Sequence, residues 1–358
     1  MSQIVPTTMR AAVYRGVNNV RVETVAVPEI GAGEVLVKIH TCGICGTDLK
    51  KIHTGSHDAP RVFGHEMAGT IVRVGAGVEG FAVGDRVMAY HHIPCGDCYY
   101  CRKQTFAQCE VYKKVGCTAG FAPSGGGFAE YIRVMDWIVQ RGLVKVPDEI
   151  PFEQAAFLEP VNTCYKAIQL LDLKSDETVL VIGQGPIGIL LAALARRTRA
   201  TVLTSDLYAE RHAVAAKFGL DRPIDARSDV VAVAKAATEG RGADVALVAV
   251  GSDALIKVAM EAIRPGGRVM LFASTQHDEA PFDPAAVCMD EKTLMGSYSA
   301  SVAIQDDVTR LVFDGYRNGF DLTNLISHRF SLEDAVAAID LASHPQADSM
   351  KIVIQPGS

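Results

Sequence analysis

The chain has 358 residues, 49% of them apolar and 21% charged, and a formal net charge of −6. That length sets two domains as the expectation, and a mildly acidic chain without a basic block excludes nucleic acid as a partner. The opening MSQIVPTTMR has no apolar core of a secretory leader, and the longest apolar run, Val179–Ala195, is interrupted by Gly183, Gln184, Gly185, Pro186 and Gly188, which argues against a membrane span.

In chain order, the first stretch is dense in short β-branched runs broken by glycine: Ala11–Tyr14, Glu34–Ile39, Ala68–Val74, Asp85–Ala89 and Phe128–Val134. Such runs predict an antiparallel or barrel-like β domain. Between them lie GICGTDLK, with Cys45, Thr47 and Asp48, and GHEMAGTIVRVGAGV, with His65 and Glu66. Next comes HIPCGDCYYCRKQTFAQC, in which Cys95, Cys98, Cys101 and Cys109 are spaced C-x2-C-x2-C-x7-C. Four thiolates in one compact loop suit tetrahedral Zn²⁺ in a closed, structural site. An iron–sulfur cluster is the rival occupant of a C-x2-C-x2-C run. FLEPVNTCYKA then brings Glu159 to the seam between the two textures, where a carboxylate before proline could equally cap a helix. Taken together, Cys45, His65 and one or two of the carboxylates Glu66 and Glu159 form a mixed S/N/O donor set, the kind that leaves a catalytic zinc one open position.

From Glu177 onward strands and helices alternate. ETVLVIG and TVLTSD predict strands, and Pro186–Arg197, Ala209–Phe218 and Ser228–Thr238 predict helices. DVALVAVG, RVMLFAS and KTLMGSY predict later strands. Continuous apolar strands alternating with helices imply parallel βαβ units. VLVIGQGPIG carries Gly183, Gly185 and Gly188 in G-x-G-x-x-G spacing, with Pro186 and Ile187 opening the helix, and Asp206 ends the second strand. This context predicts a dinucleotide site, pyrophosphate at the helix N-terminus and Asp206 on the ribose hydroxyls, favouring NAD over NADP. Arg211 nearby is the one residue that could serve a 2′-phosphate. After about Ser299 the pattern reverts to short mixed elements, which suggests a return to the first domain.

The nine cysteines form an odd set in a long chain, pointing to a reducing cytoplasm rather than a disulfide scaffold. Cys42, Cys117, Cys164 and Cys288 are expected to be packing residues.

GHE followed by Gly69, Gly75 and Val78, the four-cysteine loop and the glycine fingerprint together resemble the zinc-containing medium-chain dehydrogenase/reductase superfamily. The likeness runs across essentially the whole chain and lies near the sorbitol/polyol and threonine dehydrogenase branches. It implies an α/β chain with a GroES-like β-rich catalytic domain over 1–160, carrying a structural zinc lobe at about 92–112. A Rossmann doubly wound parallel-sheet domain would follow over 161–299, and 300–358 would return to the catalytic domain. The resemblance also implies one catalytic and one structural Zn²⁺ per chain. Cys45 and His65 would be direct ligands of the catalytic ion, with Glu159 at the third-ligand position and Glu66 as an alternate or outer carboxylate; which of the two glutamates binds directly stays open. Thr47 resembles the hydroxyl that passes a proton outward, with Lys50 or His53 at the outer end. Thr163, Val250 and Gly251 resemble further cofactor contacts. The implied reaction is reversible, NAD-dependent oxidation of a secondary alcohol, such as a polyol or sugar alcohol, to a ketone. A threonine 3-dehydrogenase-like or simple secondary-alcohol dehydrogenase is the alternative, and a non-catalytic metal-binding protein on this scaffold is the remote one. A homodimer or homotetramer is expected, with no membrane partner.

Overall fold

The computed structural model describes residues 5–112, 114–273 and 283–357. The first four residues of the opening segment, and Ser274 at the end of the expected strand RVMLFAS, lie outside the described residues. The chain divides into two compact units: Met1–Glu159 with Ser301–Ser358, and Pro160–Ala300.

In the first unit the strands are β1 (Thr8–Gly16), β2 (Asn19–Ala26), β3 (Val35–Gly43), β4 (Arg61–Val62), β5 (Glu66–Val74), β6 (Arg86–Ala89), β7 (Cys117–Thr118), β8 (Tyr131–Val134) and β9 (Leu143–Lys145). The second unit contributes β10 (Thr178–Ile182), β11 (Thr201–Asp206), β12 (Pro223–Asp225), β13 (Ala243–Val248), β14 (Ile263–Leu271) and β15 (Thr293–Gly296). The chain then returns to the first unit with β16 (Ile326–Ser331) and β17 (Lys351–Gln355).

Two sheets organise the first unit. One has the order β2-β1-β4 and the other β16-β17-β3-β5-β6-β9, with β8 pairing both β3 and β7. In β3, Val35, Leu36, Val37, Ile39 and Cys42 are all 0–2% exposed, whereas His40 is exposed. One strand is shorter than the sequence pattern suggests. Residues 128–130 turn toward β1, where the Phe128 carbonyl accepts from Ala12 N–H at 2.8 Å and Glu130 N–H donates to the Arg10 carbonyl at 3.1 Å, while the Glu130 carbonyl still accepts from Ile39 N–H of β3 at 2.9 Å. Apolar residues continue across both partners, so the sequence does not mark the change.

In the second unit all six strands are parallel, in the order β12-β11-β10-β13-β14-β15. The order reverses at β10, which places the loop after it at a topological switch point, where α/β sheets bind ligands. The helix Pro186–Arg197 follows that loop. A Cβ on Gly188 would collide with the Gly183 carbonyl, so helix and strand can approach this closely only with glycine there. The expected third helix is shorter than its pattern and covers Val230–Ala236, because Asp229 caps it by accepting from Ala232 N–H at 2.9 Å. Cys42, Cys117 and Cys164 are buried, but Cys288 is exposed. The packing role expected for Cys288 is therefore corrected: its short helix, Pro284–Cys288, buries none of its residues. Among the described residues no helix is long and apolar enough to cross a membrane.

Candidate active site

In the first unit the four cysteines of the C-x2-C-x2-C-x7-C loop converge. Their sulfurs all lie within 4.8 Å of one another, with Cys98 Sγ 3.6 Å and Cys95 Sγ 3.8 Å from Cys101 Sγ. A tetrahedral ion with Zn–S bonds of about 2.3 Å needs sulfurs roughly 3.8 Å apart, so the spacing fits the ion. Backbone donors support the thiolates: Cys98 N–H donates to Cys95 Sγ, and Cys95 N–H to Cys109 Sγ, each at 3.3 Å. Backbone N–H groups at Glu110 and Cys101 pull the Cys98 thiol down to about 6, whereas burial pushes Cys101 up to about 12. Four sulfurs this close cannot all ionise without a cation among them. Burial also pushes up the isolated Cys117 thiol, which stays protonated.

The second cluster is assembled from four stretches of sequence. Cys45 is the N-cap of the helix Gly46–Thr54. Asp48, in the first turn, accepts from Cys45 N–H at 3.3 Å and Gly64 N–H at 3.3 Å, and its Oδ1 lies 3.0 Å from His65 Nδ1. This fixes His65 with Nδ1 as donor and leaves Nε2 as a lone-pair ligand. Burial opposes a charged His65, but the Asp48 carboxylate and the Cys45 sulfur outweigh it and hold its pKa well above the usual histidine value. A cation at Nε2 would take the place of that proton. Thr47 Oγ1 is 3.3 Å from both Cys45 Sγ and His65 Nε2.

Glu66 opens β5 opposite Gly43 of β3. A side chain on Gly43 would strike the Glu66 carboxylate and crowd Lys351, so the bare strand makes room for both. Lys351, from β17, forms a buried ion pair with Glu66 and donates to the Ile44 carbonyl at 3.1 Å. Glu66 Oε1 has no hydrogen-bond partner and is completely buried. Glu159 stands in the first turn of the helix Leu158–Leu171. Burial, reinforced by Glu66 and opposed by His65, pushes its pKa up to about 7.

These donors form two groups that share His65: Cys45, His65 and Glu66, and His65, His91 and Glu159, each with its ligand atoms within 4.8 Å. The sequence-derived set Cys45, His65 and Glu159 is thus divided between them, and Cys45 and Glu159 do not fall in one such group among the described residues. A buried S/N/O set with an orphaned carboxylate oxygen fits zinc. His91, Asp48 and Lys351 were not assigned roles from sequence. The signals were present as adjacent histidines beside the cysteine loop and an aspartate three residues after Cys45. Lys351 gave no such signal. Of the two outer relay candidates, His53 is held by Asn18 Oδ1 at 2.6 Å and Ser343 Oγ at 2.8 Å. Replacing Asp48 by Asn should weaken metal binding about 10–100-fold, because His65 loses the negative charge that orients it and raises its basicity. Chelator competition measures this, and an unchanged affinity would remove Asp48 from the site.

The second unit carries the glycine loop. Gly183 has φ +94°, a conformation side chains rarely adopt. Gly185, the N-cap of the helix Pro186–Arg197, faces open space where a Cβ would stand. Gly185, Pro186, Ile187 and Gly188 thereby form a free helix N-terminus suited to an anion. Asp206 Oδ2 accepts from Gln184 N–H at 2.7 Å, and its Oδ1 accepts from Tyr208 N–H at 3.0 Å. The Arg211 guanidinium lies 3.4 Å from Asp206 and 4.8 Å from the Tyr208 ring centroid. Thr163 Oγ1 donates to the Pro160 carbonyl at 2.8 Å, and Val250 and Gly251 are exposed beyond β13.

Residues 31–148 match a family model described as alcohol dehydrogenase GroES-like domain, and residues 186–314 match one described as zinc-binding dehydrogenase. The chain is 32% identical to a sorbitol dehydrogenase of Bombyx mori over 96% of this chain and 97% of that protein. It is 32% identical to an L-threonine 3-dehydrogenase of Anaeromyxobacter dehalogenans over 88% of this chain and 90% of that protein. Among solved structures, a putative zinc-binding dehydrogenase from Sinorhizobium meliloti bound to NADP superposes with a TM-score of 0.86 at 29% identity, covering 98% of this chain and all of that one.

Proposed function

Because the chain belongs to the zinc-type medium-chain dehydrogenase/reductase family, we propose that it oxidises a secondary alcohol of the polyol or sugar-alcohol class to a ketone with NAD and two zinc ions. The observation that carries this reading is the buried S/N/O cluster centred on His65, beside a separate closed set of four cysteines. In this reading one ion is structural, in the cysteine lobe, and the other is catalytic. When bound, zinc supplies a Lewis acid that lowers the pKa of an alcohol, and the nicotinamide supplies the hydride acceptor.

The rest of the work falls to side chains. Cys45, His65 and a glutamate hold the ion, and Asp48 keeps His65 in the ligating tautomer. Thr47 Oγ1, within 3.3 Å of two ligand atoms, is positioned to relay the alcohol proton outward, accepting it as its own hydroxyl proton is passed on. Lys351 gives Glu66 a buried counter-charge from a strand outside the ligand set. At the cofactor, Gly185 admits the pyrophosphate and Asp206 takes the ribose hydroxyls, while its ion pair with Arg211 occupies the cation a 2′-phosphate would need. The resemblance further suggests a homo-oligomer in the cytoplasm.

The test is a reduction screen of NAD and NADP across polyols, inositols, threonine and simple secondary alcohols. NAD is expected to exceed NADP in kcat/KM by about tenfold or more, roughly 1.4 kcal/mol of discrimination. Polyols are expected to exceed threonine. Preference for threonine would transfer the chain to the other branch, and preference for NADP would overturn the Asp206 assignment.

A further inference from the structure

His91 follows β6, four positions before the cysteine lobe, and no role has been derived for it so far. Its side chain is 8% exposed. One face packs against His65, with ring centroids 4.5 Å apart, and the ring packs again on His92 at 4.1 Å. His92 in turn lies 5.2 Å from Tyr112, which belongs to the small core of the cysteine lobe, and its Nδ1 lies 3.3 Å from the Val115 carbonyl. Tilted ring contacts with both neighbours therefore hold the His91 ring in place. Among the described residues neither of its ring nitrogens has a hydrogen-bond partner. His65 and Glu159 stand beside it, and one ligand atom from each lies with that of His91 inside 4.8 Å.

Two histidines and a glutamate are themselves a complete catalytic zinc set. We propose that His91 is a metal ligand, and that an ion held by His65 has a second protein-ligated position formed with His91 and Glu159, beside the one formed with Cys45 and Glu66. The inference rests on the reading of His65 as a metal ligand. Sharing one ligand makes the two positions exclusive, so a single ion occupies one or the other. It also gives the divided geometry a purpose: Cys45 and Glu159 need not meet, because each closes a different position. The chain of tilted ring contacts from Tyr112 through His92 then ties the placement of His91 to the lobe.

Metal content, read without substrate or cofactor, tests the proposal. Wild-type protein should hold about two zinc or cobalt ions per chain, one in the lobe and one here. Cys45→Ser should still hold two, because the His65–His91–Glu159 position is intact. In cobalt-loaded Cys45→Ser the ion at this position should add no thiolate charge-transfer absorption to that of the lobe. Cys45→Ser combined with His91→Phe, which keeps a stacking ring but removes the nitrogens, should fall to one. Should the phenylalanine variant fail to fold, His91→Leu in the same background gives the same readout. A fall to one ion in Cys45→Ser alone overturns the proposal, as does retention of two in the double variant. Absence of alcohol oxidation in the wild type would sink the dehydrogenase reading instead and leave these counts standing.

Discussion

Cys45→Ala should lower kcat on the order of 10³-fold or more while leaving NADH affinity within about twofold. The thiol sits at the N-cap of the helix Gly46–Thr54, and Thr47 Oγ1 lies 3.3 Å from it. Removing it takes the soft donor from the Cys45–His65–Glu66 group and leaves the hydroxyl without one of its two neighbours. A Lewis acid displaced from its place no longer stabilises developing negative charge on an alcohol oxygen, and that kind of stabilisation is worth several kcal/mol. Asp48 still holds His65, so the local fold persists. The residues proposed for NAD belong to the other compact unit, and their own hydrogen bonds, from Gln184 and Tyr208 to Asp206, do not involve Cys45. Steady-state turnover and fluorescence titration with NADH separate the two effects. Retained turnover with lost NADH binding would contradict the assignment of both sites.

Cys101→Ser should cost one metal ion per chain and destabilise the first unit by roughly 3 kcal/mol or more, about 6–12 °C in Tm. The lobe has little else to hold it. Its buried core is Cys101, Cys109 and Tyr112, joined by Cys95, Cys98, Phe106 and Val111, so the ligands are themselves most of the apolar contact. Tyr99 and Tyr100, at the start of the short helix Tyr99–Arg102, are exposed. Loss of the ion should open the stretch around Arg102 to trypsin. A variant that keeps both ions and the wild-type transition would return the four cysteines to ordinary thiols. Removing metal from the wild type with a strong chelator should reproduce the same loss of stability, whereas Cys45→Ala should not.

Local signals carried much of the fold. The helix expected at Pro186–Arg197 and the strand TVLTSD occupy the observed limits, because each is bounded by its own chemistry. Gly185 and Pro186 start the helix, and Asp206 ends its strand against the glycine loop. The cysteine lobe was legible for a related reason: its four ligands lie within fifteen positions, so spacing alone reports their convergence. The cluster around His65 was only partly legible. Cys45, His65 and Glu66 stand in recognisable local strings, whereas Lys351 reaches Glu66 through the pairing of β17 with β3. Long-range strand pairing leaves no mark on periodicity, and KIVIQ reads as a plain strand. His91 was hidden differently. A histidine beside another histidine near a metal lobe looks like part of that lobe, and only the packing turns it toward His65.

The bare backbone at Gly43, which lets Lys351 meet Glu66, also sets an order of events during synthesis. β3 pairs with β5 early, but β17 emerges from the ribosome only after the whole second unit has been made. At about 5–20 residues per second the interval between Gly43 and Val353 is on the order of 15 to 60 s. During it, the Cys42–Gly43 end of β3 lacks its β17 partner, and the Glu66 carboxylate lacks the counter-charge of Lys351. The first domain therefore completes its sheet and balances its buried glutamate only when its last strand arrives.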